Sequence, residues 1–140
     1  MNGRLYREYL DWLIHEHNVD EVYMAGSCVD DELAAYYRVA HVFVCMSEHE
    51  GFCVPLIEAM TVGIPVVAFD AAAVPETMGK AGVLAHNKRF EVLAEVVEML
   101  ASKTDLRDRV IAAQHDRTKV FRPESVEASL RQVIRSIVAD

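Results

Sequence analysis

No stretch of this 140-residue chain reaches the roughly 18 uninterrupted apolar residues that a membrane-spanning helix needs. Yet 52% of the chain is hydrophobic, enough to bury a sizeable core, so one soluble domain or part of one is expected. Cysteine is scarce: Cys28, Cys45 and Cys53 form no CxxC pair, and two of them lie in or beside apolar runs. Buried reduced thiols are the expectation, with neither a disulfide nor a metal role. His15, His17, His41, His86 and His115 are scattered without ligand spacing, and no zinc site can be argued from them. The chain also lacks a Ser-His-Asp set, a P-loop, a G-x-G-x-x-G run, an internal repeat and any low-complexity segment.

Basic residues are in the minority, 14 Lys and Arg against 22 Asp and Glu, for a net charge of −8. That balance argues against a nucleic-acid partner, because such binding draws most of its affinity from cations neutralising phosphates. It leaves a phosphate-containing ligand open, since helix amino termini supply local N–H donors. Met1-Asn2-Gly3-Arg4 leads into a charged amphipathic segment instead of an apolar leader, so the expected location is cytoplasmic.

What is present is an alternation of apolar patterns. Leu5, Tyr6, Tyr9, Leu10, Leu13 and Ile14 repeat at helical spacing. Glu21 to Gly26 reads as a short strand, and Glu32 to Val39 as a helix capped by Asp30 or Asp31. Val42 to Met46, Pro65 to Phe69 and Ala81 to Leu84 read as further strands, and Lys88 to Asp140 as helix with breaks near Thr104 and Pro123. Two stripes mark that last third, one of Val92, Leu93, Val96, Val97 and Leu100, the other of Leu130, Val133, Ile134 and Ile137, both expected to pack into a core. Strands alternating with helices predict an α/β fold with a parallel, Rossmann-like sheet, helices on both faces and a helical C-terminal third.

Between the second and third of these strands lies the most informative segment, Ser47-Glu48-His49-Glu50-Gly51-Phe52-Cys53-Val54-Pro55-Leu56-Ile57-Glu58. Pro55 suits the first turn of a helix, and Gly63-Ile64-Pro65 stops it. Glu50 is thereby placed in a strand-to-helix loop and Glu58 about one turn inside the helix, at the carboxyl edge of the sheet, where open α/β folds bind ligands.

Glu50-Gly51-Phe52, Pro55-Leu56-Ile57-Glu58-Ala59-Met60, Gly63-Ile64-Pro65-Val66-Val67-Ala68, Pro75-Glu76 and Ala81-Gly82-Val83-Leu84 follow one another in an order that resembles the retaining family-4, or group 1, glycosyltransferases of the GT-B fold. The resemblance covers roughly residues 20 to 85. It departs at Cys53, where the family usually has Gly. It implies that residues 1–140 are a single partial nucleotide-sugar-binding domain, the later part of the C-terminal donor domain, with the amino-terminal acceptor domain absent. The first strand with its glycine-rich loop, and the Arg and Lys that contact the donor diphosphate in the family, have no counterpart. The isolated chain is therefore expected to transfer sugar poorly or not at all.

By the same resemblance, Glu58 contacts the nucleotide ribose and Glu50 is the catalytic carboxylate near the transferred sugar. A carboxylate accepts hydrogen bonds from two vicinal hydroxyls and sits favourably near developing positive charge. The bland alternatives are a solvated helix glutamate and a loop carboxylate capping the next helix. Gly51, Phe52, Cys53 and Val54 offer backbone to a diphosphate or sugar oxygen, with Val54 and Leu56 the better amide donors because Pro55 has none. Phe52 also reads as a packing anchor, Ser47 and His49 as sugar contacts or loop fixers, and Glu76 as a ligand contact or a helix-terminal carboxylate.

The implied function is donor-sugar binding for retaining hexosyl transfer from a nucleoside-diphosphate sugar, with no cofactor and no metal. Alternatives are a noncatalytic sugar-nucleotide-binding or assembly module that needs a partner chain, and a phosphorylase-like relative, for which Lys80 and Lys88 lack a supporting pyridoxal-phosphate motif. In the doubly wound order, the strand at Val22 to Ala25 and the strand at Val42 to Met46 flank two strands the chain does not contain. Two outcomes are expected: a four-stranded sheet with the early strand moved beside Val42 to Met46, or a homo-oligomer closing over that edge.

Overall fold

The computed structural model describes residues 3–138. It contains helices α1 (Gly3–Glu16), α2 (Asp30–Val39), α3 (Val54–Val62), α4 (Val74–Met78), α5 (Phe90–Ser102), α6 (Thr104–Thr118) and α7 (Pro123–Val138), with a 3-10 turn at Lys119–Phe121. The strands are β1 (Phe43–Cys45), β2 (Val66–Phe69) and β3 (Val83–Ala85), in a three-stranded parallel sheet ordered β1-β2-β3. The chain divides within α2 into two compact units, one ending at Leu33 and the other starting at Ala34.

In the first unit, α1 carries the ion pairs Arg4–Glu8 and Arg7–Asp11 at one-turn spacing. Its apolar face is only half covered: Leu10, Leu13 and Ile14 are partly buried, while Leu5, Tyr6 and Tyr9 are exposed. The strand expected at Glu21 to Gly26 does not form. A strand exists only where a neighbour takes its backbone groups, and the β-forming side chains of Val22 and Tyr23 are exposed instead of sandwiched. The four-stranded sheet expected from that segment is thus corrected to three. At the start of α2 the expected cap also differs. Asp30 and Asp31 lie inside the first turn, and the Glu32 carboxylate reaches back to accept the Val29 N–H at 3.2 Å, which is half of a capping box.

The second unit is built around β2. Val66, Val67 and Ala68 are all fully buried, and since successive strand residues point to opposite faces, both faces of β2 are covered. Phe43 pairs with Val66 and Cys45 with Ala68 on one side, Val67 with Val83 and Phe69 with Ala85 on the other. Leu56, Ala59 and Met60 of α3 join Val66, Ala68, Val74 and Met78 in the core. Burying a side chain such as Leu56 or Met60 contributes about 1.5–3 kcal/mol. β1 is an edge strand with Val44 half-exposed between partly buried Phe43 and Cys45.

Helix α3 ends where the sequence said it would: Gly63 adopts φ +88°, and the N–H groups of Gly63 and Ile64 both reach the Ala59 carbonyl. Glycine enters that left-handed conformation without a Cβ penalty. Chain reversal here brings Ile64 and Val66 against α6, where the fully buried Gln114 accepts the Val66 N–H at 2.9 Å and donates to the Ile64 carbonyl at 2.7 Å. The helical C-terminal third is as expected, with breaks at Lys103 and at the turn before Pro123. Of its two stripes, the first is buried at Leu100 and partly buried at Leu93, Val96 and Val97, whereas Val92, expected in the core with them, is exposed. The second is not core: Leu130, Val133, Ile134 and Ile137 are all more than half exposed, because no described element packs over that face of α7.

Gln114→Leu keeps the volume of this buried link but strands one backbone N–H and one C=O. Each unpaired group should cost about 1–3 kcal/mol, read as a lower urea midpoint with an unchanged slope.

Candidate functional site

The β1–α3 junction is fixed from below by backbone carbonyls. The Glu50 carbonyl accepts the Ala73 N–H at 3.4 Å, and the Phe52 carbonyl accepts the hydroxyl of buried Thr77 at 2.7 Å. The Leu56 N–H closes a turn onto the Cys53 carbonyl at 3.0 Å. The N–H groups of Gly51, Phe52, Cys53 and Val54 donate to nothing among the described residues. A loop whose carbonyls are held and whose amides are open presents a partial positive face at the start of a helix. Leu56 differs from its neighbours, for its N–H is already committed and its side chain is fully buried in the core.

Cys53 occupies the N-cap of α3 with φ +59° and ψ +62°. A residue with a Cβ pays roughly 1–2 kcal/mol in this left-handed region, which gives a physical reason for a glycine preference at this position. Its sulfur is buried 3.9 Å from that of Cys45, the last residue of β1. A Glu50 carboxylate oxygen completes the group, all three donor atoms lying within 4.8 Å of one another. Burial, reinforced by the neighbouring Cys45 and Glu50, pushes the Cys53 thiol up to about 12.

Glu58, half-buried on α3, accepts a hydrogen bond from the Tyr37 hydroxyl of α2 at 3.0 Å. Burial first, and then the hydrogen bond and charge of Glu58, raise the Tyr37 hydroxyl above the ordinary tyrosine range. One oxygen of the Glu58 side chain is thus held by the Tyr37 hydroxyl, with the second oxygen available. Tyr37 in turn stacks on Phe43 of β1, ring centroids 6.2 Å apart. Its helical spacing marks it as facing inward, but nothing in the sequence pairs it with Glu58.

The flanking residues take structural positions. Ser47 Oγ accepts the His49 N–H at 3.4 Å, and the His49 side chain is exposed. Phe52, 47% exposed, meets Phe121 edge-on at 5.5 Å, so one edge of the ring is engaged and much of it faces solvent. Glu76 lies exposed in the first turn of α4, where a carboxylate complements the helix dipole. Lys88, weighed in the sequence only as a pyridoxal-phosphate lysine, instead bonds Glu48 with its ammonium at 2.6 Å and sits 4.6 Å above the Phe69 ring. That bond and its charge hold the Glu48 carboxyl below the usual range, and the pair ties the loop after β1 to the segment after β3. A cavity of about 200 Å³ lies elsewhere, between Leu84 of β3 and Leu93 of α5, and none of the candidate residues lines it.

Residues 3–117 match the family described as glycosyl transferases group 1. The chain is 34% identical over 124 residues to an MMP alpha-(1->4)-mannosyltransferase of Mycolicibacterium hassiacum, covering 86% of this chain and 30% of that protein. It is 31% identical over 122 residues to a GDP-mannose-dependent alpha-(1-6)-phosphatidylinositol monomannoside mannosyltransferase of Mycobacterium tuberculosis, covering 80% of this chain and 31% of the relative. The chain thus spans less than a third of the length of these relatives. Among solved structures, the C-terminal domain of a group 1 glycosyl transferase from Francisella tularensis superposes with a TM-score of 0.68 at 26% identity, over 82% of this chain and 61% of that one. No helix among the described residues is long and apolar enough to cross a membrane. The parallel sheet with its surrounding helices is that of the Rossmann-like C-terminal domain of the GT-B fold, and the chain belongs to the group 1 glycosyltransferases.

Proposed function

We propose that this chain is the donor-binding part of a retaining hexosyltransferase and takes a nucleoside-diphosphate sugar at the β1–α3 junction. The observation that carries this reading is the pairing of Glu58 with Tyr37 beside a loop of open amides at the carboxyl end of β1. Held by one neutral donor, the Glu58 carboxylate is fixed for the two vicinal ribose hydroxyls, while the N–H groups of Gly51 to Val54 face a diphosphate or sugar oxygen. Glu50 lies at the same junction and would stabilise positive charge as it grows at the anomeric carbon. In this reading the leaving phosphate helps activate the acceptor hydroxyl on the same face of the sugar, and the transfer step uses no resident metal or cofactor. The acceptor is held by a second domain or a partner chain. The two relatives named above are mannosyltransferases, and one of them is described as GDP-mannose-dependent. GDP-mannose is therefore the first donor to test, with UDP-glucose and ADP-glucose as comparisons.

Calorimetric titration with these donors tests the reading directly. Glu58→Ala should weaken nucleotide-sugar binding by about 1.5–3 kcal/mol, the worth of a hydrogen bond to a charged group, and Glu76→Ala should leave it unchanged. Equal affinity in Glu58→Ala and the parent chain would remove the ribose assignment.

Turnover needs the acceptor-binding half, so Glu50→Gln is best measured in a reconstituted pair. It should lower kcat far more than it weakens donor affinity, because its charge matters as the transition state develops.

Tyr37→Phe separates orientation from contact. It should reduce stability by about 1.5 kcal/mol, the lower end for a hydrogen bond to a charged group, since both side chains are only half-buried, and should weaken donor binding less than Glu58→Ala does. The folded-state value of Tyr37 lies above the unfolded one of 10.0. Its contribution is therefore complete below pH 10.0 and is lost as pH rises through the higher folded value. Alkaline denaturation curves of the phenylalanine variant should lack that loss.

A further inference from the structure

We propose that Cys45, Glu50 and Cys53 form a binding site for a thiophilic divalent cation such as zinc or cadmium. Two cysteine sulfurs held about 2.3 Å from a tetrahedral zinc ion stand about 3.8 Å apart, and the two sulfurs here are 3.9 Å apart. A disulfide requires about 2.05 Å between the same atoms. The two thiols are free in the structure, and a bridging ion accepts their spacing as it stands. The Glu50 oxygen lies within 4.8 Å of both sulfurs, close enough to serve as a third ligand.

The donor set selects the ion. Two thiolates and one carboxylate suit zinc or cadmium and repel neither, while magnesium and calcium prefer oxygen throughout. Cys45 is partly buried and Cys53 buried, so the ion would be shielded on the protein side, with a fourth position left for water. The raised Cys53 thiol gives up its proton on binding, as metal-bound thiols do.

The ion would take the carboxylate that the sugar-transfer reading assigns to catalysis, and would then act as an inhibitor of donor use. That consequence rests on the proposed function, but the binding does not. The two are separable because metal titration of the reduced chain needs no sugar nucleotide and no acceptor domain.

Titration of the reduced 140-residue chain with Co²⁺ and Cd²⁺, followed by thiolate-to-metal charge-transfer absorption and by competition with Zn²⁺, tests the site. One ion per chain should bind with a tetrahedral Co²⁺ spectrum. Cys45→Ser should abolish the band, and so should Cys53→Gly, which supplies a residue suited to the left-handed backbone and keeps the circular dichroism of the parent. Glu50→Gln should weaken binding by at least about tenfold, the lower end of what even an outer-shell partner contributes. Cys28→Ser should bind as the parent does. Absence of the band, or its survival in Cys53→Gly, would overturn the site, and an affinity unaffected by Glu50→Gln would overturn the three-ligand arrangement.

Discussion

Burial of β2 on both faces is the constraint on which the second unit depends. A strand with three consecutive fully buried residues can spare no backbone group, because every unpaired N–H or C=O there meets no water. β1 and β3 take the groups along its length, and the Phe43 N–H of β1 reaches the Pro65 carbonyl at 2.9 Å, but at the entry from α3 the Ile64 carbonyl and the Val66 N–H look to a helix instead. Gln114 supplies both missing partners from α6, a helix almost fifty residues away in the chain. The same helix sends Arg117 to the carbonyls of Glu76 and Thr77 in α4. Polar side chains of α6 therefore lock the two segments that flank β2, and with them the platform on which the β1–α3 loop rests.

The loop inherits its shape from that platform. Thr77 of α4 holds the Phe52 carbonyl, and the Ala73 N–H just before α4 holds that of Glu50. With the carbonyls turned down, the amides turn away from the core. Cys53 then enters the left-handed region, a strained solution that also points its sulfur at Cys45. Strain, open amides and the clustering of two sulfurs with a carboxylate thus follow from one backbone path. Functional sites commonly store strain in this way; here it coincides with the departure from the family's usual glycine.

Charge at the site is organised by neutral and paired neighbours in place of a surrounding basic patch, consistent with the chain's acidic balance. Glu58 is steadied by a neutral hydroxyl and Glu48 by Lys88. In the proposed reading, the elements of the β1–α3 junction that would attract an anionic donor are backbone N–H groups, which act at short range and choose geometry more than charge. The stripe of α7 is one of several places where the described residues leave apolar surface in water, along with Val44 of β1 and Leu5, Tyr6 and Tyr9 of α1.

The sequence alone determined the local elements and the family. Glycine at 63, proline at 55, the β-branched runs at 42–46 and 65–69, and the glutamates eight residues apart report on the backbone within a turn or two, where propensity and capping act. They therefore placed β1, α3, β2 and β3 to within a residue or two, and put Glu50 in the loop and Glu58 in the helix. Other features were decided only in three dimensions, because they depend on partners distant in the chain. Val22 to Ala25 carries strand-forming side chains yet forms no strand, since a ladder needs a neighbour that propensity cannot supply. The stripe on α7 has core periodicity but no cover. Tyr37 at Glu58, Gln114 at Val66, Lys88 at Glu48, and Cys45 beside Cys53 are pairings made by packing. No spacing rule in a linear chain encodes the distances that close when a strand, a helix and a loop settle on one core.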